Sequence, residues 1–597
     1  MRQKRINCMA QVLTISAACI AATSGAVFAA APMIQYVPQN AILFVGLAGK
    51  LPQWPGYQGS NAQKLISESP RLQKLLKKIE TPKTAGDTAA NSSFVFGYPM
   101  ALYLTSFKGV KDGNPDGNLG IVINAGSHWK QVLKQISWNG KLVPNEKRGH
   151  VGGLVYDIIQ PTPNEMQLLK KDAGGKDLAT NPQYQSMAAG LGDVSANAWY
   201  VDMPELSADL LNAHYPAKFD GLMPMMRNVY KGIGLNNYTA IAGGGGFVGK
   251  NYAYHMDAAM VKGGHNGVAG LKQMLSLVPE NAASVATYHF DLAAIYKSLI
   301  NVGKRAGFAA KIKQGVTQAG TLAGISLRRD VIDALGGRWV DFSIPTSAGS
   351  YATVTESVLR HPNKVSNSLQ SIAPLALMAI NAARQQKNPN AQPITLTTTS
   401  AGKDTIYSIR GSGFVWCITG KRLLIGSSVG VIKSQLKTPN ASIMDNPIFS
   451  AVYKKLAADH GLHDISWVDS RKLIPESYLW LIKIFPMLDA AYPKASGIFR
   501  ASNMPKLSLL QKYMQFSNSA QWYTRHNWQL AIHSSLPEGD LLTPQSGAFM
   551  TQLSNPLVGK LMTVFVISAL TFREAVPATT PQNPAQQQPA PAPAGTP

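Results

Sequence analysis

The sequence predicts an α+β protein made of two homologous halves, each a mainly antiparallel sheet with packed helices. Three observations carry this. Val37-Pro38-Gln39-Asn40-Ala41, leading into the apolar run ILFVGL, returns as Val278-Pro279-Glu280-Asn281-Ala282, leading into SVATYHFDL. A second set follows in the same order: Asn181-Pro182, Tyr184, Trp199 and Val201-Asp202 with Leu206 return as Asn446-Pro447, Phe449, Trp467 and Val468-Asp469 with Leu473. Self-similarity at so long a period indicates duplication of one architectural unit. Third, short strand-like runs come in adjacent pairs separated by occasional helical patterns, an antiparallel habit rather than regular β-α-β alternation.

The elements follow from local pattern. In the first half AILFVGL reads as a strand and RLQKLLKKIE as a basic amphipathic helix. MALYLTSFKG and NLGIVINAG, split by a Gly/Asn/Asp-rich turn, read as a hairpin. HWKQVLKQI is a helix, GHVGGLVYDII a strand and ANAWYVD another. YTAIAGGGGFVGKNYAYHMDAAMV reads as two strands joined by a glycine-rich turn. The second half repeats the order with SVATYHF, the helix LAAIYKSLINVGKRAGF and the hairpin RWVDFSIPTSAGSYATVTESVL. A longer helix (KVSNSLQSIAPLALMAINAARQQ), four short strands, the helix VIKSQL, the strand DISWVDS and the closing QWYTRHNWQLAIHSS follow. The longer helix and linker near 372–392 account for the growth in spacing between the two sets of landmarks.

The ends carry the address. Arg2, Lys4 and Arg5, a short apolar stretch over 8–23 and Val27-Phe28-Ala29 form a secretory signal expected to be cut after Ala29. The expected organisation is a signal at 1–29, a first repeat at 30–265, a second at 266–540, an apolar segment at 541–575 and a disordered Pro/Ala/Gln-rich tail at 576–597. LMTVFVISALTF, at 561–572, is too short to span a bilayer. Cys8 and Cys19 leave with the signal, so Cys417 stands alone and neither a disulfide scaffold nor a cysteine zinc site is available.

Lysine and arginine number 56 against 32 acidic residues; without the three signal bases the formal +24 becomes +21. That field favours anionic partners, either envelope lipid or polymer, and export excludes nucleic acid as the natural one. The bases are scattered as singlets and doublets, so their plainest role is a soluble surface.

At its landmarks the chain resembles an uncharacterised family of exported bacterial proteins, domain of unknown function 3352. The shared features are a Val-Pro-x-x-Ala strand start, a glycine before a two-strand segment, and a Ser/Asn-Pro-x-aromatic step before a strand ending in Asp with a following Leu. Here these are Val37 to Ala41, Gly97, Asn181 to Tyr184, and Asp202 with Leu206; then Val278 to Ala282, Gly336-Gly337, Asn446 to Phe449, and Asp469 with Leu473. Tyr98 and Arg338 stand where the family often has an acid. The resemblance implies this fold and an envelope location, and no activity.

Four patterns could carry chemistry. Gly426-Ser427-Ser428-Val429-Gly430 fits G-x-S-x-G between a strand and a helix, the setting of a nucleophile elbow, with Asp469 or Asp489 and then His526 or His533 in the order a triad needs. Against it, a strand-to-helix turn uses Gly and Ser for turning and capping in any sheet protein. GGGFVGKN, at 244–251, nearly matches a phosphate-binding loop but has Asn251 where Ser or Thr should hold magnesium. His460 and His463, flanked by Asp459 and Asp464, have metal-ligand character in what reads as a loop. Asp202, Asp291 and Asp469 each end a strand and read as helix N-caps rather than catalytic carboxylates. The sequence therefore predicts a non-enzymatic, exported envelope protein of the periplasm or outer-membrane side, with no cofactor. It would bind or scaffold an envelope lipid, polymer or protein. The alternatives are a serine hydrolase using Ser428, Asp469 and His526, and a carrier of a hydrophobic ligand.

Overall fold

The computed structural model describes residues 33–80, 97–111, 114–136, 145–170, 175–189, 191, 196–214, 227, 231, 234–261, 270–346, 349–411, 413–457, 461–491 and 500–537. The signal segment, Asp459, His460, the apolar run at 561–572 and the Pro-rich tail lie outside them.

The protein is α+β, and its described strands form one 18-stranded antiparallel sheet. Its strands are β1 (Leu43–Ala48), β2 (Pro99–Lys111), β3 (Asn114–Asn124), β4 (Glu146–Val151), β5 (Leu154–Ile159), β6 (Asn197–Asp202), β7 (Tyr238–Val248), β8 (Asn251–Met260) and β9 (Ser284–His289). They continue with β10 (Arg338–Pro345), β11 (Tyr351–Val358), β12 (Leu396–Ala401), β13 (Asp404–Ile409), β14 (Phe414–Thr419), β15 (Arg422–Gly426), β16 (Leu462–Asp469), β17 (Phe516–Tyr523) and β18 (Asn527–Ser534). Beta-8 and β18 pair at the middle, from Tyr252↔Ser534 to Ala259↔Asn527. Outward from β8 the order is β7, β6, β1, β2, β3, β5, β4. Outward from β18 it is β17, β16, β9, β10, β11, β15, β14, β13, β12. The separate sheets expected for two halves are thus one sheet, because β8 and β18 each supply the backbone partners that the other lacks.

Helices cover both faces. They are α1 (Asn61–Ser67), α2 (Pro70–Glu80), α3 (Trp129–Gln135), α4 (Pro163–Lys170), α5 (Pro182–Ala189), α6 (Met203–Asn212), α7 (Leu271–Leu275) and α8 (Leu292–Ala306). After these come α9 (Ala309–Leu322), α10 (Pro362–Lys387), α11 (Val429–Gln435), α12 (Pro447–Ala457), α13 (Ser470–Ala491) and α14 (Leu507–Tyr513). Helix α8 shows why: Asp291 caps its start, Lys304 and Arg305 sit in its last turn, and Gly307 at φ 83° ends it. One sheet face, the front, carries two separate cores. The first packs Phe44, Tyr103, Val122, Ile158 and Tyr200 beneath Tyr184 and Met187 of α5. The second packs Val285, Phe342, Val354, Ile465 and Trp467 beneath Ile432 of α11 and Phe449 of α12. The rear face carries a core that crosses the β8–β18 seam, where Trp199, Tyr254, Met256, Trp528 and Leu530 meet Val302 of α8, Ile474 of α13 and Leu510 of α14.

The sequence landmarks touch each other. The Asn181 side chain donates to the Gln39 carbonyl (2.9 Å) while its oxygen accepts from the amides of Gln183 (2.9 Å) and Tyr184 (3.0 Å). Asn446 donates to the Glu280 carbonyl (3.1 Å) and accepts from Ile448 (3.0 Å) and Phe449 (3.1 Å). One amide therefore caps a helix and ties it to the Val-Pro turn before a strand. Proline follows each Asn because the first helical position needs no amide donor.

Four expectations change on contact with the structure. GHVGGLVYDII is two strands, β4 and β5, because Gly152 at φ 56° turns the chain between them. The four glycines Gly243–Gly246 lie inside β7 rather than in a turn, which falls at Gly249 and Lys250. A Cβ on Gly243 would meet the Trp199 ring at 2.7 Å, so the indole of the neighbouring strand occupies that space. Trp199 is not the match of Trp467. Trp199 points to the rear core and Trp467 to the front; Tyr200 also faces front and packs edge-on to Tyr184 (5.6 Å), and Trp467 packs edge-on to Phe449 (6.0 Å). A one-residue slip along a strand reverses the face. Finally, the expected loop around His463 is the start of β16.

Replacing Asn446 with alanine removes a cap and a long-range bond together, and is expected to cost about 1–3 kcal/mol. The exposed Asn440 replaced in the same way should cost little. Urea unfolding of both variants checks this; equal midpoints would show that the Asn446 clamp does not hold the helix to the strand.

Candidate functional site

The triad residues do not converge. Ser428 is the N-cap of α11, its hydroxyl accepting from the Val431 amide (3.3 Å), and its extended backbone (φ −155°, ψ 158°) is not a strained elbow. Gly426, two residues before it, lies in one row with Val354, Phe342, Val285 and Trp467. Four strand spacings separate the ends of that row, roughly 19 Å. Asp469 is close to the Trp467 end and is held by Arg471 (3.0 Å) and Lys472 (3.7 Å). His526 sits in the exposed β17–β18 turn, while Asp469 pairs with Phe516 at the other end of β17. The length of that strand puts them roughly 25 Å apart. His533 lies within β18, and Asp489 lies on α13.

The other sequence candidates also resolve into structural roles. Asp202 accepts from Glu205 (3.0 Å), and Asp291 from Ala293 (2.9 Å) and Ala294 (3.1 Å), so both cap helices. Asp469 differs: its carboxylate holds Arg471 and Lys472 instead of serving as a cap, and its amide donates to the Ala283 carbonyl (2.8 Å). The 244–251 segment is the end of β7, its turn and the first residue of β8. Cys417 is a buried free thiol, pushed up to about 11 by burial and by Asp404.

His463 belongs to a polar cluster built across four strands. Its Nδ1 lies 2.7 Å from Asp464 Oδ2, and Arg338 donates to Asp464 Oδ1 (3.2 Å) and to the His463 carbonyl (2.9 Å). The His289 and Tyr523 rings stand edge-on to His463 at 5.8 and 5.4 Å. Burial pushes His289 down, aided by His463 and Arg338, and burial also lowers Arg338. This is a carboxylate-oriented imidazole, the arrangement that fixes a tautomer. Among the described residues no group of three His, Cys, Asp or Glu could hold a metal ion.

A second imidazole pair, unread in the sequence, lies on the front side of the seam. His255 of β8 and His533 of β18 meet edge-on at 5.5 Å. Two residues from His255, the buried Asp257 accepts from Asn527 (3.0 Å) and Gln529 (3.1 Å). Burial pushes His533 down to about 4, with His255 and Lys455 of α12 adding to it, and burial lowers His255 and raises Asp257. Strand pairing reveals this cluster; spacing in sequence gives no sign of it.

The rear face differs between its two sides. On the β1–β7 side it presents Val45, Leu102, Ile121, Trp199 and Ile241. The matching rows beyond β18 present Ser517, Ser519 and Gln521, then Asp464 and Ser466, then Ser284 and Tyr288, then Asp341 and Ser343, all buried. Ser466 and Ser519 bond to each other (2.6 Å), and Tyr288 donates to Asp341 (3.3 Å), whose carboxyl burial pushes up to about 6. An open depression of about 660 Å³ lies at the ends of β1 to β3, lined by Gln53, Tyr98, Pro99, Asn124 and His128 among others.

The outermost feature is apolar. Helix α13 buries Leu473, Ile474 and Ser477 against the sheet and turns Leu479, Trp480 and Met487 outward at 60%, 47% and 70% exposure. Leu375, Met378 and Ile380 of α10 are exposed as well.

No family model and no curated protein matches the chain. Among solved structures, crystal forms I and III of TP0453 align with 40% of this chain and 83% of their own, at 12% and 8% identity and a TM-score of 0.20. A likeness that slight carries no argument.

The seam pair should make stability depend on pH. An imidazole with a depressed folded pKa takes up its proton more readily when unfolded. Its contribution is whole above the unfolded value of 6.5 and is lost as pH falls toward about 4. Replacing His533 with glutamine should flatten the fall in unfolding free energy between those values, by up to about 3 kcal/mol. Urea titrations at a series of pH values test it; parallel curves for both proteins would remove His533 as the source.

Proposed function

We propose that this is an exported, non-enzymatic protein of the bacterial cell envelope that binds or scaffolds another envelope component. The observation that carries the reading is the combination on the rear helices of exposed large apolar side chains with a basic chain. Monomeric proteins seldom leave such groups in water without use. The signal-like N-terminus and the motif resemblance to domain of unknown function 3352 support the envelope location.

The two-half organisation belongs to the same proposal. Outward from the seam, β7-β6-β1-β2-β3-β5-β4 and β17-β16-β9-β10-β11-β15-β14 follow one plan, and chain order maps one onto the other. Paired bonds support it further: Leu178 donates to the Val37 carbonyl as Ile443 does to Val278, and Asp202 to Ile42 as Asp469 does to Ala283. The added hairpin β12–β13 and the long helix α10 then belong to the second copy, so the extra length extends past the linker expected at 372–392.

The serine hydrolase alternative is disfavoured by the separation of Ser428, Asp469 and His526. The carrier alternative needs an apolar space between the halves. The region between them is a continuous ladder with Met256, Trp528 and Leu530 packed into a shared core, which argues against that space.

Cross-linking the tagged full chain in intact envelope, followed by mass spectrometry of proteins and lipids, tests the proposal. A reproducible partner or lipid is the expected result, lost on substituting exposed residues of α13. Separately, a fluorophosphonate probe should leave Ser428 unlabelled, and labelling blocked by Ser428→Ala would overturn the non-enzymatic reading.

A further inference from the structure

We propose that the partner is the surface of an anionic phospholipid bilayer, docked by the outward stripe of α13. This rests on the binding reading above and names its partner. Leu479, Trp480, Lys483 and Met487 recur at three-, four- and seven-residue spacings, which places them on one side of the helix. All four are exposed, and Trp480 has the amphipathic ring suited to the headgroup boundary.

Charge complementarity selects the occupant. Helix α13 packs on α14, α14 on α1, and α2 lies against the turn before α14, so these helices form one layer over the central core. Lys483 lies within the apolar stripe, and Lys74 of α2 and Lys506, just before α14, are exposed in the same layer. Three acids of this layer are engaged: Glu68 holds Lys512 (2.9 Å) and Tyr513, Asp469 holds Arg471, and Glu476 accepts the Tyr351 amide. On the same side of the sheet, α8, α9 and α10 contain eight Lys and Arg and no Asp or Glu. An apolar stripe among more bases than acids fits a surface that offers both acyl chains and negative headgroups. A protein groove would need opposing acids placed at matching points. Among the described residues no helix is long and apolar enough to cross a membrane, so the contact is interfacial.

Vesicle co-sedimentation of the full chain decides this. Phosphatidylglycerol and phosphatidylcholine in equal parts should bind at least roughly tenfold tighter than phosphatidylcholine alone, and about 0.5 M salt should remove most of the difference. Brominated lipid should quench a component of the fluorescence that Trp480→Phe lacks. The triple variant Leu479→Ser, Trp480→Ser, Met487→Ser should lose binding roughly tenfold or more. Its melting temperature should fall only slightly, since Leu479 and Met487 are mostly exposed and Trp480 about half so. Binding that the triple variant retains, or no preference for phosphatidylglycerol, overturns the proposal. A cross-linked protein partner together with no vesicle binding would sink lipid docking and leave the binding reading standing. Neither lipid nor protein would sink both.

Discussion

Everything else in the molecule is arranged around the β8–β18 ladder. Each of these strands would otherwise be the open edge of its own sheet, with a row of amides and carbonyls needing partners. Paired from Tyr252↔Ser534 to Ala259↔Asn527, they close both edges at once and make a central rear core from residues of both ends of the chain. That core can form only after the last described strand is in place. It draws α1 and α2 from the start of the chain onto α13 and α14 from its end, where Lys512 reaches Glu68. The ladder therefore sets the position of the helical layer as well as the join.

Much of the fold was legible in the sequence because its constraints are short. Asn181 and Asn446 stand out as landmarks since one side chain must both cap a helix and hold a distant turn, and no other residue type meets both demands with that reach. The strand pairs were legible from alternation and turns. What escaped was the identity of neighbours. The glycines of β7 read as a turn, yet Gly243 is small because the ring of Trp199 lies over it. Trp199 and Trp467 look equivalent as letters and are opposite in direction, because strand geometry changes face at every residue. That strands from both ends of the chain share one sheet is a property of unpaired edges, which sequence does not display.

The site was less legible for a related reason. His255 and His533 are far apart in sequence and touch only through the ladder. The serine motif was visible but generic, and its serine spends its hydroxyl on an ordinary helix cap. Local motifs report local jobs here. The clusters with unusual chemistry, at the seam and around Arg338, are assembled from strands that only the sheet order brings together.

The two faces of the second half divide its labour. On the front, Val285, Phe342 and Trp467 bury apolar surface beneath α11 and α12, at roughly 1.5–3 kcal/mol for each large side chain. On the rear, the matching positions are serines, Tyr288, Asp341 and Gln521, whose hydrogen bonds return only about 0.5–1.5 kcal/mol each after desolvation. The rear helices of this half therefore find their apolar contacts beside those polar rows: α8 and α13 enter the central core through Val302 and Ile474, α10 packs Val365 and Leu369 with Trp416 and Leu423, and Asp291 with Arg360 and Glu476 with Tyr351 tie their ends. Those same helices carry the exposed apolar side chains. A layer that buries one apolar stripe and turns a second outward keeps hydrophobic surface available at its outer side. Such an arrangement suits contact with another surface better than it suits closing a core.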